Sequence, residues 1–219
     1  MSIILNIDTA TENGSVCLSD NDKILGCIKS IDQKEHAAFV NLAVETLLSE
    51  AKITLNELRA VAVTAGPGSY TGLRVSMACA KGFCYALSVP LIAISTLKVM
   101  AFAALSQSNK MMCCPMIDAR RMEVFTALYN QDLEELIPSG PVILDETFLK
   151  KFIKENKIIF VGSGISKYRI IQNHPNCIFL DLKTDATHLA KMSTNSYNTR
   201  QFEDITYAEP NYLKSFYIK

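Results

Sequence analysis

The sequence predicts an α/β protein in which helices flank mixed β-sheets, and two observations carry this prediction. Three strand patterns open the chain at residues 3–8, about 15–19 and about 23–30, and short polar turns join them. Helix and strand patterns then alternate over about 35–51, 60–63, 73–87 and 90–95. A meander followed by such an alternation is typical of a mixed sheet packed by helices.

The later part of the chain repeats this kind of pattern less clearly. A polar stretch at 106–110 predicts a boundary between an N-terminal lobe, residues 1–106, and a smaller C-terminal lobe, residues 107–219. Strand patterns follow at 112–117, 123–129 and 158–161, and helix patterns at 145–155 and 185–197. No internal repeat is visible in the sequence, which leaves open a distant topology shared by the two lobes.

Composition limits the function classes. Of 219 residues, 49% are hydrophobic and 20% are charged, which is typical of a globular protein. Lysine plus arginine and aspartate plus glutamate each number 22, so the net charge is zero. A protein that binds nucleic acid by itself usually has a basic surplus, because phosphate contacts dominate such binding. The balance favours protein or small-molecule partners.

The apolar segments and cysteines predict a cytoplasmic protein without a membrane span. The first apolar run has no basic leader and ends at Asp8, which indicates a strand rather than a signal peptide. No apolar stretch reaches the roughly 20 residues needed to cross a bilayer. The seven cysteines have no regular spacing, which favours free thiols in a reducing compartment over a disulfide framework.

The most informative segment is AGPGSYTGLR, residues 65–74. It lies between a buried strand pattern and a helix pattern. Gly66 and Gly68 can adopt positive φ and admit another backbone closely, while Ser69 or Thr71 can cap the helix. Two interpretations stay open: an anion or a partner's loop sits at the amide-rich helix start, or the segment is only a strand-to-helix turn.

The two long helix patterns carry more apolar surface than one sheet can cover. In the first, one stripe faces the sheet: Val40, Ala43, Val44, Leu47, Leu48 and Ala51. Ala38, Phe39 and Leu42 fall outside that stripe. The second has one narrow polar band (Arg74, Lys81 and Tyr85) and otherwise shows small residues (Ser76, Ala78, Cys79, Ala80 and Gly82). Either other helices of the same chain or a second chain covers these faces.

A polar hairpin between two strand patterns, Asp118-Ala119-Arg120-Arg121, is a candidate contact for an anion or a partner. Two guanidinium groups beside a carboxylate can pair with a phosphate or with a partner's carboxylate. The alternative is a solvated hairpin tip, and the sequence does not decide between the two.

The residue types needed for catalysis do not form a recognisable set. The three histidines, His36, His174 and His188, make no His-x-x-x-His or His-Glu-x-x-His pair, which argues against a metal-dependent protease. Ser69 lacks the Gly-x-Ser-x-Gly spacing of a hydrolase nucleophile, and the Gly-x-x-x-x-Gly-Lys phosphate loop is absent. We therefore predict no catalytic residue and no metal site.

Several segments resemble the TsaB (YeaZ) family. Residues 66–74 resemble its signature Gly-Pro-Gly-Ser-Phe-Thr-Gly-Leu-Arg, and further likeness covers residues 4–11, His36, 118–124 and 210–214. The match is dense in the first half and thin after about residue 130. Ala37 and Lys214 stand where the family usually has serine and arginine. The family is a non-catalytic partner in bacterial synthesis of threonylcarbamoyladenosine on tRNA, often labelled as glycoproteases.

The resemblance implies a two-lobed actin-like ATPase fold, of the ASKHA and ribonuclease H-like class. In active members the first hairpin turn carries glycine, whereas residues 9–11 here are Thr-Ala-Thr. The resemblance therefore implies a degenerate nucleotide cleft, made of Asp8, Thr9, Ala10, Thr11, Gly66, Pro67, Gly68, Ser69, Tyr70, Thr71 and Gly72. Unaided, Asp8 is either a turn residue or a ligand that holds Mg²⁺ through water. Residues 162–164, Gly-Ser-Gly, are either a remnant of an adenosine-binding turn or a plain turn.

The resemblance also implies partners. The two long helices would dock on the catalytic homologue TsaD, or on a second copy of this chain, through His36, Ala38, Phe39, Leu42, Arg74, Ala78, Cys79 and Gly82. For His36 a plain surface imidazole is an equal alternative. A TsaE-type ATPase is a further implied partner, tRNA is reached only through the complex, and ATP with Mg²⁺ would bind at most at the complex interface. The alternative function is a stand-alone actin-like ATPase or kinase.

Overall fold

The computed structural model describes residues 2–30, 36–108 and 111–214. The first half of the chain forms three strands and then alternates helices and strands. These elements are β1 (Ile3–Asp8), β2 (Gly14–Asp20), β3 (Lys23–Ser30), α1 (His36–Ala51), a 3₁₀ turn (Leu55–Glu57), β4 (Leu58–Gly66), α2 (Tyr70–Leu87), β5 (Leu91–Ser95) and α3 (Thr96–Leu105).

The second half has the same order of strands and α-helices. Its elements are β6 (Met112–Asp118), β7 (Glu123–Tyr129), β8 (Glu135–Ile143), α4 (Lys150–Glu155), β9 (Ile158–Val161), α5 (Ile165–Ile171), β10 (Cys177–Leu180) and α6 (Ala186–Asn198).

The two sheets share one topology. The first has the order β3-β2-β1-β4-β5 and the second has the order β8-β7-β6-β9-β10. In each, the three meander strands pair antiparallel, and the last two strands run parallel to the first. The predicted mixed sheets and the distant shared topology are therefore present, although the two halves have no visible sequence repeat.

The chain forms two compact units, and neither is continuous in sequence. The first contains residues up to Thr96 together with Thr184–Asn211, and the second contains Leu97–Lys183 with the residues from Tyr212 onward. A single boundary near residue 106 does not describe this division. The reason is that α6 packs on the first sheet, where Ser193 Oγ donates a 2.6 Å hydrogen bond to Asn6 Oδ1 on β1.

The core of the first unit follows the predicted hydrophobic pattern. All six residues of β1 are buried, as a strand covered on both faces requires. On α1 the stripe from Val40 to Leu48 is buried against this sheet, and Ala51 packs at its edge. The helical period thus correctly identified which side of α1 faces its own sheet.

The core of the second unit contains an aromatic cluster. The rings of Phe160 on β9 and Tyr168 on α5 lie 5.0 Å apart, and Phe148 and Phe179 pack edge-on against Tyr168. Tyr168 Oη donates a 2.7 Å hydrogen bond to the Phe148 carbonyl. This pairing satisfies the buried hydroxyl while the ring fills the core.

In the second half, two strands were not predicted and one helix begins later than predicted. β8 was not predicted, since Pro138 and Pro141 break its pattern, and it lies at a sheet edge, where proline is tolerated. The short strand β10 was also not predicted. The helix predicted from residue 145 begins only at Lys150, because Asp145 instead accepts the amide hydrogens of Thr147 and Phe148 in a turn.

Candidate functional site

The first part of the candidate site is the turn after β1, which ends at Asp8. This side chain is buried, and its Oδ1 accepts hydrogen bonds from the Ala10 amide at 3.1 Å and from Thr64 Oγ1 at 2.8 Å. Burial raises the pKa of Asp8 above its ordinary value, and the nearby Asp185 carboxylate adds to that rise. Asp8 is thus held by its own turn and by the adjacent strand β4.

The glycine segment packs its backbone directly on this turn. The Ser69 amide donates a 2.7 Å hydrogen bond to the Ala10 carbonyl, and Thr9 Oγ1 donates one of the same length to the Gly72 carbonyl. A Cβ on Gly68 would lie 2.2 Å from the Ala10 oxygen, and one on Gly72 would lie 1.9 Å from the Thr9 oxygen. Both glycines are therefore required by close approach of the chain to itself.

Positive φ is required at only one of the two glycines that the sequence suggested. Gly66 has φ of +110°, whereas Gly68 has no positive φ and needs only its missing side chain. The bond between Gly66 and Pro67 is cis. Ser69 caps α2 as predicted, because its Oγ accepts the Gly72 amide hydrogen at 3.3 Å. With this cap, α2 begins at Tyr70, before the predicted start at residue 73.

The end of the first unit adds a residue to this loop. The Asn211 amide donates a 2.7 Å hydrogen bond to the Ala65 carbonyl, and its own carbonyl would lie 2.8 Å from a Cβ on Gly66. Residues 210–214 carry part of the family resemblance but were not predicted to belong to the site. A contact between residues so distant in sequence has no local signal.

A cluster at the start of α6 was also not predicted. Asp185 caps this helix by accepting the Thr187 amide hydrogen at 2.9 Å, and it pairs with Lys29 Nζ at 2.5 Å. His188 Nδ1 lies 3.3 Å from its Oδ1. Burial alone would raise the pKa of Asp185, but hydrogen bonds with His188, Lys29 and Thr187 hold it well below the ordinary value. The only local signal for this cluster was an aspartate at a predicted helix start.

A different surface of the first unit is formed by α1 and α2, which contact each other. Ala38 and Leu42 on α1 are exposed, and so are Arg74, Ala78 and Gly82 on α2. We call these five residues the docking face. Leu42 is 66% exposed, which is high for a leucine, and no atom lies within 4 Å of a Cβ built on Gly82. Most of the residues that were predicted to contact a partner are thus exposed in the structure.

Three other predicted interface residues differ in their surroundings. Phe39 and Cys79 are partly buried and pack against the core of their own unit, so they contribute less surface than predicted. His36 begins α1, but its side chain lies outside the described residues. Lys81, from the predicted polar band, donates a 3.0 Å hydrogen bond to the Ala208 carbonyl.

The polar hairpin after β6 lies in the second unit. Asp118 pairs with Lys167 Nζ at 2.6 Å and also accepts the Arg120 amide hydrogen at the same distance. Arg120 and Arg121 are exposed and have φ of 73° and 49°. The sequence placed this carboxylate beside the two guanidinium groups, whereas its side-chain partner is Lys167 on α5.

The turn at residues 162–164 supports the same hairpin. Ser163 Oγ accepts the Asp118 amide hydrogen at 3.0 Å, and the Gly164 amide donates to the Met116 carbonyl at 3.0 Å. Gly162 has φ of +105°, and a Cβ there would lie 2.4 Å from the Met116 oxygen. In the second unit, as in the first, a glycine turn packs on the end of the first meander strand.

The described residues contain neither a metal-binding cluster nor a membrane-spanning helix. In that part of the chain, no three histidine, cysteine, aspartate or glutamate side chains come together so that they could hold a metal ion. None of the helices in the ranges described has both the length and the apolar character required to cross a membrane.

Comparison with known proteins identifies relatives over most of the chain. The family described as "TsaD: tRNA N6-adenosine threonylcarbamoyltransferase" matches residues 18–215. The tRNA threonylcarbamoyladenosine biosynthesis protein TsaB of Escherichia coli (strain K12) is 36% identical over 97% of this chain and 94% of its own length. The protein of the same name from Bacillus subtilis (strain 168) is 30% identical over 76% of this chain and 73% of its own length.

Solved structures of proteins with the same family name have a similar fold. The structure of YeaZ from Pseudomonas aeruginosa has a TM-score of 0.82 and 26% identity, and the match covers 97% of this chain and 100% of that one. The fold has the two mixed sheets flanked by helices that the sequence patterns predicted, and it is the actin-like α/β class that the resemblance implied.

Proposed function

Because this chain belongs to the TsaB (YeaZ) family of tRNA threonylcarbamoyladenosine biosynthesis proteins, we propose that it serves that pathway as a non-catalytic subunit docked on a TsaD-type catalytic homologue. The docked pair would let TsaD move a threonylcarbamoyl group from an adenylate to the tRNA adenosine beside the anticodon. The observation that carries this proposal is the exposed docking face of α1 and α2.

The chemistry of the docking face fits a protein partner. The exposed side of α2 carries small residues, Ala78 and Gly82, flanked by Arg74 and by Tyr85, which is 83% exposed. Small residues let another helix approach closely, while tyrosine and arginine are enriched among residues that dominate binding energy. The sequence of α2 contains no aspartate or glutamate, in keeping with the depletion of acidic residues in interface cores.

The arrangement of the glycine segment supports a non-catalytic role. Its close contacts go to Thr9 and Ala10 of the same chain, and the Ser69 amide is bonded to a carbonyl. In an active phosphate cradle such amides would be turned toward the ligand. We therefore propose that ATP and Mg²⁺ bind at most at the interface with TsaD, and not to this chain alone.

The subunit would act by stabilising the competent conformation of TsaD, since a partner shifts an equilibrium by binding one state more tightly. A TsaE-type ATPase would join the assembly, and tRNA would be reached only through the complex. In isolation, we propose that the same docking face pairs with a second copy of this chain.

The docking test uses sedimentation of the chain alone and mixed with TsaD. The double variant Leu42→Asp with Gly82→Asp places two charges on the docking face at exposed positions, so folding is expected to persist. We expect it to sediment as a monomer and to form no TsaD complex. Phe39 is left unchanged because it packs against the core.

The matched control is Ile170→Asp, because Ile170 is 85% exposed and belongs to α5 of the second unit, whereas α1 and α2 belong to the first unit. This variant should bind TsaD as the wild type does. Circular dichroism establishes that each variant is folded. A folded double variant that still binds TsaD with unchanged affinity would remove the docking face from the proposal.

A second test separates a scaffold from a stand-alone ATPase or kinase. Calorimetric titration of the isolated chain with ATP and Mg²⁺ should give no binding in the micromolar range, and phosphate release should stay at background. Tight binding with turnover by the isolated chain would instead favour the enzyme and contradict the scaffold.

A further inference from the structure

Two of the cysteines form a close pair in the first unit. Cys17 on β2 and Cys27 on β3 are direct partners in the antiparallel register, so both side chains lie on one face of the sheet. Cys17 forms a small buried cluster with Ala186 and Ala190 of α6, and Cys27 packs against that cluster.

The backbone spacing of such a pair suits a disulfide. Directly opposed residues of antiparallel strands have Cα atoms about 4.5–5.5 Å apart. A disulfide bridges Cα atoms about 4.4–6.8 Å apart. The two strands therefore need no change of register to become covalently linked.

The two thiols differ in access and in acidity. Cys17 is fully buried, whereas Cys27 is only half-buried. The neighbouring Cys17 thiol lowers the pKa of Cys27 against the effects of burial and of the Asp185 carboxylate, and Lys29 adds to the lowering. The Cys27 thiol, together with burial, raises the pKa of Cys17. Cys27 is thus the thiol that a reagent in solution reaches first.

We propose that Cys17 and Cys27 form a redox-reactive dithiol, which low-molecular-weight disulfides such as oxidised glutathione convert to an intramolecular disulfide. The Cys27 thiolate attacks one sulfur of oxidised glutathione, and the first glutathione leaves and takes up a proton. The Cys17 thiol then gives up its proton and attacks the Cys27 sulfur of the mixed disulfide, and the second glutathione leaves and takes up a proton. Two protein thiols lose two electrons and two protons, and one glutathione disulfide becomes two thiols.

The bridge is expected to be easily reversed. Opposed Cβ atoms across two strands lie about 4.5–5.5 Å apart, which is wider than the roughly 3.5–4.5 Å of a relaxed disulfide. Closing that gap strains the bond, and strained disulfides are reduced more readily. A dithiol reductant should therefore restore both thiols without unfolding the chain.

The test treats the full-length folded chain with oxidised glutathione, blocks free thiols with N-ethylmaleimide and maps tryptic peptides without reduction. Trypsin cuts after Lys23, between the two cysteines, so a bridge appears as two linked peptides. We expect two of the seven thiols to be lost and the linked peptides to carry Cys17 and Cys27.

Three variants sharpen the result. Cys17→Ser should stop at a glutathione adduct on Cys27, and Cys27→Ser should form neither the adduct nor the bridge in this cluster. Cys79→Ser is the matched control, since Cys79 is also only partly buried but lies on α2, and it should leave the bridge unchanged. A wild-type chain that accumulates only the Cys27 adduct, or that loses other thiols first, would overturn the proposal.

Discussion

Replacing Gly72 by alanine tests the contact that joins the glycine segment to the turn after β1. Gly72 lies in the first turn of α2, where its φ is not positive, so alanine is allowed by the backbone. Helix propensity by itself favours the change by about 1 kcal/mol. On helix propensity alone, Gly72→Ala is therefore expected to be more stable than the wild type.

The packing predicts the opposite sign. The new Cβ would lie 1.9 Å from the Thr9 carbonyl oxygen, and that neighbour is backbone rather than a flexible side chain. Overpacking of this kind costs about 1–3 kcal/mol. Displacement of α2 would also break the buried bond from Thr9 Oγ1 to the Gly72 carbonyl, at a cost of about 0.5–1.5 kcal/mol. After subtracting the propensity gain, Gly72→Ala should lose about 0.5–3.5 kcal/mol.

The same helix provides a matched control. Gly82 lies three turns later on α2, and a Cβ there meets no atom within 4 Å. At protein concentrations where the chain is monomeric, Gly82→Ala receives the propensity gain without the collision, so it should be more stable than the wild type by about 0.5–1 kcal/mol. The opposite signs at two glycines of one helix isolate the effect of the Thr9 contact.

The assay is urea unfolding followed by far-ultraviolet circular dichroism. The first unit contains α2, so the relevant transition is its own if the two units unfold separately. In thermal unfolding each kcal/mol should shift Tm by about 2–4 °C for a chain of this size. If Gly72→Ala proves as stable as Gly82→Ala, the close packing of the glycine segment on Thr9 is not what requires glycine.

Three further predictions concern the Asp8 and Asp185 carboxylates and the second glycine turn. Burial raises the pKa of Asp8 in the folded chain above its value in the unfolded chain, near 3.8. The contribution of this carboxyl to folding stability is therefore complete below that unfolded pKa and is lost as the pH rises through the folded pKa. Unfolding measured against pH should therefore show Asp8→Asn gaining stability relative to wild type as the pH rises above about 4, where the unfolded carboxyl begins to ionise. The pKa of Asp185 is instead lowered, so its contribution to stability is present above about pH 4 and is lost on acidification. Asp185→Ala should therefore cost about 1 kcal/mol at neutral pH, and in the same titration its free energy of unfolding should fall less than that of the wild type as the pH drops below about 4. Gly162→Ala forces a side chain into φ of +105° and against the Met116 carbonyl, so denaturant unfolding should show loss of stability in the second unit, and an unchanged midpoint would contradict the strain.

Local sequence signals predicted the elements well where one segment contains all the information. The continuous apolar run of β1 is typical of a buried strand and the stripe on α1 has the period of a helix, and both lie where they were expected. The cap at Ser69 is likewise a contact across a few residues. β8 and β10 were missed because proline in one, and the short length of the other, weaken the same local signals.

The sequence by itself determined the order of most strands and helices, the side of α1 that enters the core and the family that the chain resembles. Only the tertiary structure decided that α6 belongs to the first unit, that Lys29 meets Asp185, and that Gly68 and Gly72 are required by the chain's own backbone. The physical reason is that periodicity and capping depend on neighbours along the chain. Close packing and ion pairing instead depend on which distant segments the fold brings into contact.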